Sequence, residues 1–247
     1  MFIPGCHFLF EAENKFHSGF LTTVYYPTGL QSTESNMLLE LLAQIIAGPC
    51  FDILRTTEQL GYIVYSHIYR RIGSQGLQIV VQSNKHPQYV EKRIDLFIDS
   101  MLDHISTMSE EQFEEYKKAV TALRLQKPIN LRHQCTLYWN EIASQQYNFD
   151  RVNIEVAFLK TITRQQLLNF FKENVYSKTR CKLSIHLIPT ATENKSLDIT
   201  IEETADSANE NVKKIDDIMS FKNSQTLYPL RLKPIKKDFL RTEHINF

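Results

Sequence analysis

Apolar positions along the chain fall into blocks of two periods. Residues 18–29 (SGFLTTVYYPTG) carry the strand formers Phe20, Leu21, Val24, Tyr25 and Tyr26, and Pro27 and Gly29 close the run. The preceding CHFLFE is compatible with a short strand or an extended linker. Met37, Leu38, Leu41, Leu42, Ile45 and Ile46 then repeat as one stripe of a helix. Gly48-Pro49 predicts a stop, with Pro49 opening a second helix to about Leu60 and Gly61 capping it. Residues 62–70 and 76–83 read as a hairpin joined through Arg71-Ile72-Gly73-Ser74.

Helices dominate afterwards. Tyr89 to Ile105 keeps a 3.6-residue pattern. Ser109 with Gln112, and Thr163 with Gln166, are capping-box signatures. Pro128 interrupts, and a further helix is predicted from about Asn130 through Trp139 to Ser144. KLSIHLI (182–188) alternates as a last strand, with Leu183, Ile185 and Leu187 on one face. Clustered helices beside these strands predict an α+β fold: two layers, a mostly antiparallel sheet packed on one side by helices. The predicted organisation is an extended linker or short strand over 1–17 and a domain over 18–189. An acidic mobile insert over 190–220 and a C-terminal docking tail over 221–247 follow.

Charge narrows the function classes. Lys+Arg and Asp+Glu number 28 each, so no excess of positive charge marks a nucleic-acid binder. No run of 18 apolar residues predicts a membrane span, and the first ten residues lack the basic start of a secretory leader. The expectation is a cytoplasmic protein without nucleic-acid or membrane partners. The carboxyl end, HINF, lacks a peroxisomal tripeptide. Cys6, Cys50, Cys135 and Cys181 are too dispersed for a zinc site and read as reduced thiols. Neither HExxH nor HxxEH occurs among the eight histidines, and P-loop, GxGxxG and GxSxG motifs are absent.

One segment carries chemistry. On a helix, Phe51, Arg55 and Glu58 of FDILRTTEQLGY share a face, and Gly61 turns the chain so that Tyr62 opens a strand. Arg55 and Tyr62 at such a corner can aim hydrogen-bond donors at one point, as a developing oxyanion requires. Spacing alone allows a second arrangement, in which Arg55 pairs with Glu58 and Tyr62 packs on its strand.

PCFDILRTTEQLGYIV (49–64), GLQIVVQS (76–83), QQYNFDRVNIEVAFLKT (145–161) and the closing PLRLKPIKKDFLRTEHINF resemble the pitrilysin-type family of inverted-motif zinc peptidases. The likeness covers about residues 18–189 and the tail, and it matches the last of four homologous α+β domains that enclose a chamber. It implies that the zinc motif lies in a first domain, so zinc belongs to the full enzyme and none is bound by this chain. It implies that Arg55 and Tyr62 reach across the chamber to the scissile carbonyl and its oxyanion. It also implies that Phe51 lines the pocket just after the cleaved bond. The implied partners are N-terminal domains of the same enzyme and peptide substrates such as insulin-like hormones, with a homodimer left open. A basic stretch after a Lys-Pro pair holds nucleotide or other polyanions in such enzymes. Here Lys127 and Arg132 remain, but Ile129 and Asn130 replace basic positions, and a plain helix connection around Pro128 accounts for the segment. The expected function is a C-terminal part of a zinc metalloendopeptidase that is inactive alone. The alternative is a non-catalytic paralogue or partner subunit that binds peptide or another chain.

Overall fold

The computed structural model describes residues 5–71, 73–144, 146–176, 180–190 and 212–225. Most of the segment read as an insert, and nearly all of the segment read as a tail, lie outside these residues. Six strands form one sheet in the order β3-β4-β2-β5-β1-β6. They are β1 (His7–Asn14), β2 (Phe20–Leu30), β3 (Ile63–Arg71), β4 (Ser74–Ser83), β5 (Lys182–Pro189) and β6 (Val212–Ile215). The pairs β2–β4, β2–β5 and β3–β4 are antiparallel, whereas β1 runs parallel to both β5 and β6. The fold is α+β with a mixed sheet.

The helices are α1 (Thr33–Cys50), α2 (Pro87–Thr107), α3 (Glu110–Arg124), α4 (Leu131–Ala143), α5 (Arg151–Thr161), α6 (Arg164–Phe171) and α7 (Ile218–Ser224). Both predicted capping boxes form, at Ser109/Gln112 and Thr163/Gln166. Val24, Tyr26, Val64, Leu77, Ile79 and Val81 project from one face of the sheet into a core shared with the helices. All six stripe residues of α1 are buried there. α1 and α2 both contact the sheet, and α3, α5 and α6 pack around them.

Three sequence expectations change. First, Gly48-Pro49 does not stop α1. The helix runs on into a π-helical turn, Phe51–Thr57, because Cys50 and Leu54 continue its buried face. Ala47 and Gly48, next to Pro49, face solvent, and no atom from outside this stretch of the helix lies within 4 Å of a side-chain position at Gly48. The resulting rod, Thr33–Thr57, is long and apolar enough by composition to cross a membrane, but here it is the core helix.

Second, β5 alternates as predicted, yet its polar side chains point at the helices. Lys182, Ser184 and His186 are buried, while Leu183, Ile185 and Leu187 are only half-buried. Leu183 packs instead with Phe8, Ile215 and Phe221 on the opposite face, where the Phe8 and Phe221 rings meet edge-on at 5.0 Å. Third, β6 and the start of α7 lie within the stretch read as an insert. Phe221 therefore brings a short helix to the far side of the sheet.

The polar face of β5 meets Glu91 of α2. His186 lies 2.8 Å from Glu91, Ser184 donates to it at 2.7 Å, and His7 and Lys182 approach it at 3.1 and 2.6 Å. Asp95, one turn on, takes Arg180 and Lys182 at 2.7 Å each. Burial alone would raise the Glu91 carboxyl. The hydrogen bonds from His186 and His7 and the Lys182 ammonium outweigh burial and hold it well below the usual carboxylate range.

A folded-state value below the unfolded one means stability that is present above about pH 4.3 and lost as pH falls toward the folded value. Glu91→Gln should therefore cost about 3–5 kcal/mol at pH 7, because it leaves the buried Lys182 ammonium with Asp95 as its only carboxylate and removes the acceptor of Ser184. The gap from the unsubstituted protein should shrink steadily between about pH 5 and pH 3. Urea unfolding across that range checks this, and a gap independent of pH would contradict it.

Candidate functional site: a helix-to-strand corner

The corner is built by the π-helical turn. An i→i+5 hydrogen bond, Glu58 N–H to Ile53 C=O at 2.9 Å, closes it. Leu54 points into the core, whereas Phe51 and Arg55 stay at the surface. Gln59 adopts φ 51°, so the left-handed residue that ends the helix is Gln59 and not the predicted Gly61. The Leu60 N–H then returns to the Leu54 carbonyl at 3.0 Å.

Gly61 serves a different constraint. A Cβ there would lie 1.8 Å from the Gln82 carbonyl oxygen of β4. Beside it, the Ser83 hydroxyl donates to the Leu60 carbonyl at 2.5 Å. The chain is thus pressed backbone to backbone against β4 immediately before Tyr62.

Arg55 does not pair with Glu58. Glu58 accepts two hydrogen bonds from Arg93 of α2, Nε at 2.7 Å and Nη2 at 2.7 Å, a bidentate clamp. The widened helical turn carries Glu58 away from Arg55 toward α2. The Arg55 guanidinium carbon instead lies 4.6 Å from the centre of the Phe51 ring and 4.9 Å from that of Tyr62. Such contacts are worth about 0.5–1 kcal/mol each at exposed sites. Among the described residues, no hydrogen bond or ion pair engages the Arg55 fork or the Tyr62 hydroxyl. Tyr62 is 83% exposed and Phe51 42%. Phe51, Arg55 and Tyr62 thus converge, with unoccupied donors facing solvent.

Lys127 and Arg132 are exposed at the connection between α3 and α4. The polar residues around QQYNFDR form a second cluster, which spacing alone did not reveal. Arg151 binds Glu141 and also Glu155, at 3.3 Å for the latter. Glu155 is fully buried and accepts from Asn36 of α1 at 2.9 Å, while Arg124 of α3 reaches both Glu155, at 3.2 Å, and Glu40. Burial works against the Arg151 charge, and Glu141 and Glu155 more than offset it. This network ties α1, α3, α4 and α5 together. No local pattern forecast it, because its members lie up to 119 residues apart.

Among the described residues, no group of three His, Cys, Asp or Glu side chains is arranged to hold a metal ion. The described residues therefore do not fit a zinc site. Of the thiols, Cys6 and Cys50 are buried and Cys135 is exposed. Burial pushes the Cys50 thiol up to about 11, against a hydrogen bond with Ser66.

Residues 41–139 match the family model described as PQQ synthase PqqF-like, C-terminal lobe domain 4. Insulin-degrading enzyme of Homo sapiens is 40% identical over 250 residues, covering 97% of this chain and 23% of that protein. A-factor-processing enzyme of Saccharomyces cerevisiae is 32% identical over 234 residues, covering 94% of this chain and 22% of that protein. The crystal structure of pitrilysin superposes with a TM-score of 0.76 at 22% identity, over 93% of this chain and 24% of that one. Over nearly its whole length this chain is homologous to the C-terminal region of insulin-degrading enzyme, and it shares its fold with part of pitrilysin. It spans less than a quarter of the length of those relatives.

Gly61→Ala should displace the corner and overpack it, at a cost of roughly 1–3 kcal/mol. For a protein of this size that is a fall of about 2–12 °C in melting temperature. A melt within about 1 °C of normal would show that β4 yields to the methyl group.

Proposed function

We propose that this chain is the C-terminal domain of a zinc metalloendopeptidase that cuts short peptides. In this reading it presents Arg55 and Tyr62 to the substrate carbonyl, while N-terminal domains hold the zinc. The observation that carries the reading is the free guanidinium of Arg55. It is stacked against Phe51 and Tyr62 while its acidic neighbour Glu58 is clamped by Arg93. A neutral peptide carbonyl accepts a hydrogen bond weakly, and the tetrahedral oxyanion accepts it strongly. Donors held ready for the second lower the barrier more than they tighten binding. Phe51, half-exposed one turn before Arg55, offers an apolar wall for the residue after the cleaved bond. Lys127 and Arg132 remain a weak basis for a polyanion contact, since both lie in open solvent.

In the complete enzyme, Tyr62→Phe should lower kcat by roughly 100- to 1,000-fold with KM changed little, the usual effect of one lost oxyanion donor. Arg55→Ala removes a charge and a fork of donors and should damage both constants. Steady-state kinetics on a short fluorogenic peptide reads both. Turnover of Tyr62→Phe within about threefold of normal would remove this hydroxyl from the mechanism. The isolated chain should show neither chelator-sensitive cleavage nor about one equivalent of zinc by elemental analysis.

A further inference from the structure

α4 is attached to the domain in an unusual way. Of its thirteen residues only Glu141 is buried. The helix is held at that end by the Arg151–Glu141 pair, by the Asn148 N–H to Glu141 at 3.0 Å, and by edge contact of the Tyr138 and Phe149 rings at 6.0 Å. Its apolar side chains face outward: Leu131 is 74% exposed and Trp139 64%. Leu131, Cys135, Tyr138 and Ile142 are spaced 4, 3 and 4 apart, one continuous stripe of a helix, and Ile129 just before the helix is exposed as well. A helix this short is marginal in water by itself. A stripe of this kind, on a helix whose one buried residue is a glutamate, marks a surface for a partner.

We infer that the α4 stripe is the docking seam for the rest of a longer polypeptide of which this chain is the C-terminal part. This rests on the function proposed above and names the surface through which the domain joins the others. Three observations favour that occupant. The relatives carry more than three quarters of their length outside the region matched here. A thirteen-residue helix is only about 20 Å long, too short a seam for the roughly 800 Å² per partner that two free chains need. A covalently tethered partner needs less, because its effective concentration is already in the millimolar range. A lipid surface fits poorly, since Arg132 is the only Lys or Arg on the helix and membrane-surface helices carry a basic polar face.

Cys135 sits in the stripe and is exposed, whereas Cys50 is buried in the core. Alkylation by N-ethylmaleimide, followed by peptide mass mapping, therefore reads the seam directly. Cys135 should react at least tenfold more slowly in the intact enzyme than in this chain alone. Trp139→Asp in the intact enzyme should restore fast reaction at Cys135 while Cys50 stays unreactive, which excludes unfolding as the cause. Tyr62→Phe should leave Cys135 protected while turnover falls, so that failure of the docking inference and failure of the catalytic reading are separable.

Equal rates in the free chain and the intact enzyme would overturn the inference. So would protection in the free chain that rises with concentration alongside a doubled mass, which would make the occupant a second copy. Protection lost on deleting residues 226–247 would assign the stripe to the chain's own end. Protection by phosphatidylcholine–phosphatidylserine vesicles would assign it to lipid.

Discussion

Between Gly61 and β4 there is room for a hydrogen atom and nothing larger: a Cβ would stand 1.8 Å from the Gln82 carbonyl oxygen. That contact fixes where the π-helical turn ends and where β3 begins. Upstream, Leu60 is buried and its carbonyl is held by Ser83. Downstream, Tyr62 emerges one residue before Ile63 pairs with Gln82. The ring of Tyr62 meets the Arg55 guanidinium because the chain between them is pinned at both ends. A larger residue at 61 would have to lift the strand or push the helix away, and either movement separates the two donors.

The interior is stabilised by apolar packing but oriented by two buried polar networks. One links Glu91 and Asp95 of α2 to His7, Arg180, Lys182, Ser184 and His186. The other links Glu40 and Glu155 to Arg70, Arg124 and Arg151. Buried ion pairs add little net stability over apolar packing, because desolvation offsets attraction. Breaking one partner is costly, however, so each network specifies a single relative placement of its elements. The first sets α2 against the parallel strands. The second sets α1 against α3 and α5. α1 continues into the turn that carries Arg55, so the second network orients the candidate site from a distance.

Much of the fold was legible because its signals are local. The α1 stripe, both capping boxes and the β3–β4 hairpin depend on residues a few positions apart, and the structure contains each of them. What was not legible depends on distant partners. Gly48-Pro49 reads as a break unless the buried run through Cys50 and Leu54 is weighed against it. β5 reads as amphipathic either way round, and only Glu91, 93 residues earlier than Ser184, decides that its polar face turns inward. β6 has four residues, two of them Lys, and no alternation long enough to announce a strand. At the site, spacing placed Arg55 and Tyr62 together at a corner. It could not decide whether Glu58 would take Arg55, because Arg93 lies 35 residues further on.

Arg93 gives the corner its electrostatic character. Stacking uses the faces of a guanidinium and leaves its in-plane N–H donors unspent, so Phe51 and Tyr62 hold Arg55 without consuming its hydrogen-bonding capacity. A nearby carboxylate would consume it. Glu58 is three residues away and would be a permanent anion in the place proposed for a transient one. Arg93 removes it with two hydrogen bonds of 2.7 Å. A group meant to stabilise charge that exists only in a transition state must be free of charge in the ground state, because any resident anion must first be displaced. Two separate devices meet that condition here: a widened helical turn that carries the acid away, and a second arginine that holds it there.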